Sequence, residues 1–295
     1  MTTTIKDDTT GLHYVGRNFN TNSNISNNNI MKDEITLLNG ERWNIKRLIT
    51  KMIDDNFYYG YCSRSMLSSS AIKLLHTSIK KFYFINQAQS NNNQALRDGW
   101  LFHTSILEPH KFEEVIFSET LTKGVAFKKL VEMHGQGNVF TLDEKQKAER
   151  LADAFYKNHK ATSYLTKAQF EQPVAGIVDG YPFRGKADIL RDGEIIDLKT
   201  CRDIRFFKQD AYNNGYDIQC YLYSNLFNID YRNFRFIAID KGTLDIGIFH
   251  SSENFYESGK KKTMRALEIY NDNIKNKETD TIKDFIYNYY LEDTL

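Results

Sequence analysis

The chain has 295 residues, 41% of them hydrophobic, and a formal net charge of +1 from 39 Lys and Arg against 38 Asp and Glu. This is enough apolar material for one large packed domain, and it excludes a globally basic nucleic-acid binder: such a partner would need local positive charge, as in Lys46-Arg47 with Lys51, Lys80-Lys81, or Lys260-Lys261-Lys262 with Arg265. Cys62, Cys201 and Cys220 make no CxxC pair, which argues for a reducing compartment and against a zinc ribbon or iron–sulfur cluster; no 18-residue apolar run or leader-like segment is present, so the expectation is a cytoplasmic protein without membrane contact.

Residues 1–31 are rich in Thr, Asn and Asp and read as a flexible tail ahead of a single domain over 32–295. Residues 41–56 carry Trp43, Arg47, Leu48, Met52 and Ile53 in an amphipathic helical pattern. A serine then caps a helix beginning near Ala71-Ile72-Lys73. Asn91 to Asn93 reads as a loop, followed by a helix over Gln94 to Leu107 that stops before Pro109 and carries Gly99 and His103 on one face. Residues 141–160 form a charged amphipathic helix starting near Asp143, so 41–160 is predominantly helical. A strand over Val174 to Val178 turns at Asp179-Gly180, with Glu171 just before it. A hairpin around Asp192-Gly193 follows, then a largely helical stretch from Tyr212 to Phe227 with a soft spot at Asn213-Asn214-Gly215. Strands over Phe234 to Ile239 and Leu244 to Phe249, and helices over 252–275 and 280–292, close the chain. The order implies an α/β (α+β) fold, a central mixed β-sheet flanked by helices, with the core at about 165–250.

The chemistry concentrates in the Asp192-Gly193 hairpin. With those two residues at the turn, Arg191 faces Glu194, Leu190 faces Ile195, Ile189 faces Ile196, Asp188 faces Asp197, and Lys186 faces Lys199. Alternation then puts Asp188, Asp197 and Lys199 on one face. Directly opposed carboxylates destabilise a sheet unless they share a proton or hold a cation, and oxygen ligands suit Mg²⁺ or Mn²⁺. By themselves the acids also fit a solvated hairpin face. Tyr212, Tyr216, Gln219 and Tyr223 fall at i, i+4, i+7 and i+11, a stripe that is otherwise core-like but whose amide needs a polar partner if buried. Glu171 is a candidate third carboxylate, and His103 stands among Gly99, Ile106 and Leu107, a setting equally suited to a core histidine.

Taken together these residues resemble a known family. Asp188 followed by Asp197-Leu198-Lys199 resembles the PD-(D/E)XK nuclease motif, and Gln219 to Tyr223 resembles the QxxxY motif of its RecB-like branch. Leu101-Phe102-His103-Thr104-Ser105-Ile106-Leu107-Glu108-Pro109 with Phe112, and Leu67-Ser68-Ser69-Ser70-Ala71-Ile72, resemble segments of the RecE-like (exonuclease VIII-type) phage exonucleases. The resemblance covers about residues 60–240; Ala187 stands where the motif name has Pro, and Asp197 where it has Asp or Glu. It implies a restriction-endonuclease-like core and a Mg²⁺- or Mn²⁺-dependent 5′→3′ double-strand DNA exonuclease with one or two ions, leaving 3′ single-stranded tails for phage-type recombination. Asp188, Asp197, His103, Glu171 and the Leu198 carbonyl would be metal ligands. Lys199 would orient or deprotonate the attacking water, Gln219 would position water or phosphate, and Tyr223 would support it. Arg64, Ser68 and Ser70 would hold a terminal 5′-phosphate. Implied partners are duplex DNA ends, a single-strand annealing protein, and further copies of the chain in a ring. An endonuclease or single-strand nuclease on the same fold, or a non-catalytic DNA-end-binding module, are the alternatives.

Overall fold

The computed structural model describes residues 34–87, 94–121, 123–135, 137–275, 277 and 279–288. The expected N-terminal tail, the Asn91–Asn93 loop and the last residues of the expected 280–292 helix lie outside the described residues.

The first described element is a hairpin of β1 (Glu34–Thr36) and β2 (Arg42–Asn44), turning through Gly40 at φ 83°. This corrects the expected helix over 41–56: Trp43 belongs to a strand, and α1 spans only Ile45–Lys51, capped by the Asn44 side chain on the Arg47 N–H. A π-helical turn (Phe57–Tyr61) runs into α2 (Cys62–Ser65). α3 (Ser69–Thr77) starts from Ser68, whose hydroxyl accepts from the Ala71 N–H at 3.2 Å. α4 (Ile79–Gln87) and α5 (Gln94–Leu107) follow, the latter with the expected bounds, and Pro109 opens α6 (Pro109–Glu114). A small parallel pair, β3 (Ile116–Phe117) and β4 (Val139–Phe140), encloses α7 (Val125–His134). α8 (Leu142–Lys157) begins with a capping box of Thr141 and Glu144 and is followed by α9 (His159–Ser163).

The central sheet has five strands in the order β5 (Gln169–Val178), β6 (Tyr181–Arg191), β7 (Glu194–Cys201), β8 (Phe234–Asp240) and β9 (Ile246–His250). Only β7 and β8 run parallel, so the sheet is mixed, as expected. Between them come α10 (Phe207–Asn213) and α11 (Tyr216–Phe227); α12 (Glu253–Asn273) and α13 (Thr279–Asn288) follow β9. Both sharp hairpins have two successive residues in the left-handed region, Asp179 and Gly180 at 48° and 81° and Asp192 and Gly193 at 41° and 75°, the turn that matches strand twist.

Helices cover both sheet faces. On one, Phe183, Ile195, Phe234 and Phe236 pack with Ile72 of α3, Ile218 and Leu222 of α11 and Leu267 of α12. On the other, Ile189, Ile196, Leu198, Ile237 and Ile239 pack with Phe102 and Ile106 of α5 and Leu151 and Phe155 of α8. A sheet buried on both faces reads as nearly continuous apolar runs, and charged residues inside it therefore stand out.

Candidate active site

The site forms where the sheet's hydrogen-bond ladder opens. The expected register holds for Arg191↔Glu194, Leu190↔Ile195 and Ile189↔Ile196, and there the β6–β7 pairing ends. One residue further, the Leu198 N–H is taken by the Asp188 carboxylate at 2.8 Å, a side chain standing in for the missing backbone acceptor. Lys186 consequently does not face Lys199; it pairs with Pro173 of β5. Alternation also breaks here, since Phe183 and Ala187 face α11 whereas Ile189 faces α5.

Opposite Asp188, on β5, the ladder skips Glu171 between Phe170↔Ile189 and Gln172↔Ala187. Glu171 lies inside the strand, two residues after its start rather than before it, and its φ is 50°. A non-glycine residue held there stores strain, which persists only when its surroundings dictate the position. Ligand atoms of Glu171, Asp188 and His103 lie within 4.8 Å of one another, and His103 Nδ1 is 3.3 Å from Asp188 Oδ2. His103 reaches this point because α5 packs on that sheet face. Burial, and next the Asp188 charge, push the Glu171 carboxyl well up, while Lys186 opposes them.

Asp197 and Lys199 lie on the α11 side. Asp197, 1% exposed, accepts from Lys199 Nζ through Oδ2 and from the Gln219 amide through Oδ1. Gln219 thus has the polar partner that its place in an aromatic stripe demanded. The stripe itself is shorter than expected. Gly215, at φ 70°, breaks the helix, so Tyr212 sits on α10 against Phe255, while Tyr216, Gln219 and Tyr223 remain on α11. The Lys199 ammonium lies 4.9 Å from the Tyr216 ring centroid. Burial works against the Lys199 charge, but Asp197 and Asp188 outweigh it and hold the ammonium up to about 12. Burial, then Asp188, raise the Asp197 carboxyl, with Lys199 opposing. Tyr223 is fully enclosed; its hydroxyl accepts the Lys186 N–H at 3.2 Å, and its ring fills the space that a side chain at Gly185 would need.

Leu198, next to Asp197 on β7, is buried and pairs with Ile237 of β8. Arg64, Ser68 and Ser70 gather around the start of α3, tied to β6 by the Leu67–Phe183 bridge; Ser68 is engaged as a helix cap, and Arg64 and Ser70 are exposed. Among the described residues, none of the three makes a hydrogen bond or ion pair to the acidic cluster. Of the basic runs, Lys262 is committed to an ion pair with buried Asp217 at 2.7 Å.

Further charged groups surround Glu171 that no local sequence pattern marks. Lys186 Nζ lies 2.6 Å from Asp55 Oδ1 and 3.9 Å from Glu171 Oε2, beneath the rings of Tyr58 and Tyr59; Lys111 joins Asp55 at 2.9 Å and Glu108 at 2.7 Å. The available signal was the π-helical turn's Phe-Tyr-Tyr-Gly-Tyr run, whose chemistry depends on partners remote in sequence.

The donor set of one imidazole and two carboxylates, with burial and the Asp188 charge pushing the Glu171 carboxyl up, fits a divalent cation. Among the described residues, no helix is long and apolar enough to cross a membrane.

Residues 68–283 match the family described as a PDDEXK-like domain of unknown function (DUF3799). A candidate exonuclease from Eubacterium rectale has a similar fold, with a TM-score of 0.54 and 17% identity over 82% of this chain and 95% of that one. A phage-related exonuclease from Haemophilus somnus 129PT aligns with a TM-score of 0.33 and 14% identity over 72% of this chain and 97% of that one. No curated protein matches the sequence. The family match spans the five-stranded sheet and the helices on both its faces, so the chain belongs to the PDDEXK-like family and is a nuclease domain of that type.

Proposed function

We propose that the protein is a Mg²⁺- or Mn²⁺-dependent exonuclease that degrades duplex DNA from its ends, 5′→3′, and leaves 3′ single-stranded tails for a strand-annealing partner in a phage or prophage setting. The observation that carries the reading is the juxtaposition of two sets of groups on neighbouring strands: His103, Glu171 and Asp188 within 4.8 Å of one another, and Asp197 bound to both Lys199 and Gln219. One set suits a divalent ion and the other presents a fixed ammonium for a phosphate.

When bound, the ion supplies an acidified water as nucleophile and neutralises charge developing on the phosphate. His103, Glu171 and Asp188 would hold it, with Asp197 and the Leu198 carbonyl as further ligands. Lys199 would orient or deprotonate the attacking water and stabilise negative charge developing on the phosphate. Gln219 fixes the Asp197 carboxylate so that Lys199 keeps its position. Tyr223 holds the Lys186 backbone, and through it the strand that carries Asp188. Arg64, Ser68 and Ser70 would receive a 5′-terminal phosphate. A protomer of net charge +1 has little long-range attraction for DNA, which supports a hold by encirclement, in a closed ring of copies.

The test is digestion of end-labelled linear duplex, with and without a 5′-phosphate, beside a covalently closed circle, in Mg²⁺ and in Mn²⁺. The expected result is 5′→3′ loss of the linear strand with the circle intact. Cutting of the circle would replace the exonuclease reading with an endonuclease. Inactivity with either metal would leave a DNA-end-binding module. A monomeric mass in solution at high concentration would remove the ring.

A further inference from the structure

Lys73 lies on α3, outside every motif that defines the site, yet its position ties it to Lys199. Its Cγ and Cδ atoms come within 3.4 Å of where a side chain would begin at Gly215, the residue just before Tyr216, whose ring lies beside the Lys199 ammonium. The side chain is half-buried, and among the described residues it has no ion pair or hydrogen bond. Burial and then the Lys199 charge both press against its protonation, with no carboxylate opposing them. Lys73 thus adds a second positive charge in reach of Lys199 but lacks the counter-ion that Asp197 gives Lys199, an arrangement that costs stability in the free protein. An anion bridging the two would remove that cost.

α3 also relates Lys73 to a surface assigned above. Ser70 is three residues earlier and Ser69 four, so all three lie on neighbouring turns of one helix face. A strand whose reacting phosphate is held at Lys199 would then pass Lys73 on its way to the exposed start of α3.

We propose that Lys73 contacts a backbone phosphate of the bound DNA strand, beside the phosphate held at Lys199. The proposal rests on the nuclease reading and deepens it: it places the stretch of strand between the reacting phosphate and the 5′-terminal phosphate along α3. Lys73 takes no part in bond cleavage; it binds.

The experiment measures binding of a fluorescent 5′-phosphorylated duplex to the full chain in EDTA, where no cutting intervenes, at salt from 50 to 200 mM. Wild type, Lys73→Gln and Lys73→Arg are compared. Loss of one phosphate contact lowers the slope of log affinity against log salt by about 0.9. The wild-type advantage over Lys73→Gln is therefore expected to shrink by about 3.5-fold across that fourfold range of salt. Lys73→Arg should keep the wild-type slope. The melting temperature of Lys73→Gln should be equal to or above that of wild type, because the residue has no partner to lose. Wild-type affinity and slope in Lys73→Gln would overturn this inference alone. A fall in melting temperature accompanying weaker binding would also overturn it, by assigning Lys73 a structural role. Failure of the wild type to bind DNA would overturn the nuclease reading, and this inference with it.

Discussion

Gly259 is where packing and chemistry can be separated. It lies on α12 against α11, and a Cβ there would come 1.9 Å from the Asp217 carbonyl oxygen and 2.4 Å from its carbon. Both obstructing atoms are backbone, so no rotamer change relieves the contact. Reaching an ordinary separation of 3.4 Å requires the helices to part by about 1.5 Å, the difference from 1.9 Å. Overpacking of this kind costs about 1–3 kcal/mol, and backbone against backbone belongs at the upper end or beyond. Alanine recovers about 1 kcal/mol of helix propensity. Gly259→Ala is therefore expected to destabilise the protein by about 2 kcal/mol, a fall in melting temperature of about 4–8 °C for a domain of this size. The movement also disturbs Asp217, which accepts from Ser258 and Lys262 at 2.7 Å each. Since α11 carries Gln219, nuclease activity per folded molecule should fall as well, by up to about a hundredfold if the displacement reaches the Asp197 contact. Thermal unfolding and activity below the transition measure the two effects. An unchanged or raised melting temperature would refute the close-approach argument, and full activity in a destabilised variant would refute the coupling of α11 position to the site.

Other consequences are as direct. Lys199→Ala should reduce DNA cleavage by about 10²–10³-fold while leaving duplex binding in EDTA within a few-fold of wild type, as read by gel assay and anisotropy. Tyr223→Phe should cost about 1 kcal/mol in denaturant unfolding, because the buried Lys186 N–H loses its acceptor. Burial alone would raise the Glu144 carboxyl, but Arg97, Gln94 and the Thr141 N–H bring it down to about 2. A depressed carboxyl stabilises the fold above its unfolded value near 4.5 and loses that contribution as pH falls toward 2, so the stability gap between wild type and Glu144→Gln should be level above about pH 5 and close below it. Its size is at most about 3 kcal/mol, from the fall of the carboxyl from 4.5 to about 2. Finally, Mg²⁺ or Mn²⁺ at about 100 times its dissociation constant should add about 2.7 kcal/mol to stability, and Asp188→Asn should abolish the shift.

What was legible in the sequence is what local chemistry dictates. Asp192-Gly193 fixes a two-residue turn, and the turn fixes three cross-strand pairs. Pro109 bounds the helix over Gln94 to Leu107. The same logic was available at Asn39-Gly40, but the apolar spacing of Trp43, Leu48 and Met52 also fits a helix, and the strand pairing with Glu34–Thr36 outweighed it. The soft spot at Asn213-Asn214-Gly215 is where the helix divides, but a 3.6-residue period runs on across it, and the tyrosine stripe was drawn through on that period. Lys186 and Asp55 are 131 residues apart, and no periodicity could pair them.

The location of the site follows from how the sheet fails at Asp188. If β6 and β7 had kept pairing, the Leu198 N–H would have a backbone acceptor, and Asp188 and Asp197 would be plain cross-strand neighbours on one face. Instead the ladder stops after Ile189↔Ile196, Asp188 supplies the missing acceptor, and Glu171 takes a left-handed conformation across from it. The acids are thereby set apart in their contacts. Asp188 joins Glu171 and His103 on the α5 side, whereas Asp197 stays with Lys199 and Gln219 beneath α11. The interruption costs backbone strain and a ladder bond, but it sets the His103, Glu171 and Asp188 cluster apart from the Asp197–Lys199 pair while keeping the two side by side.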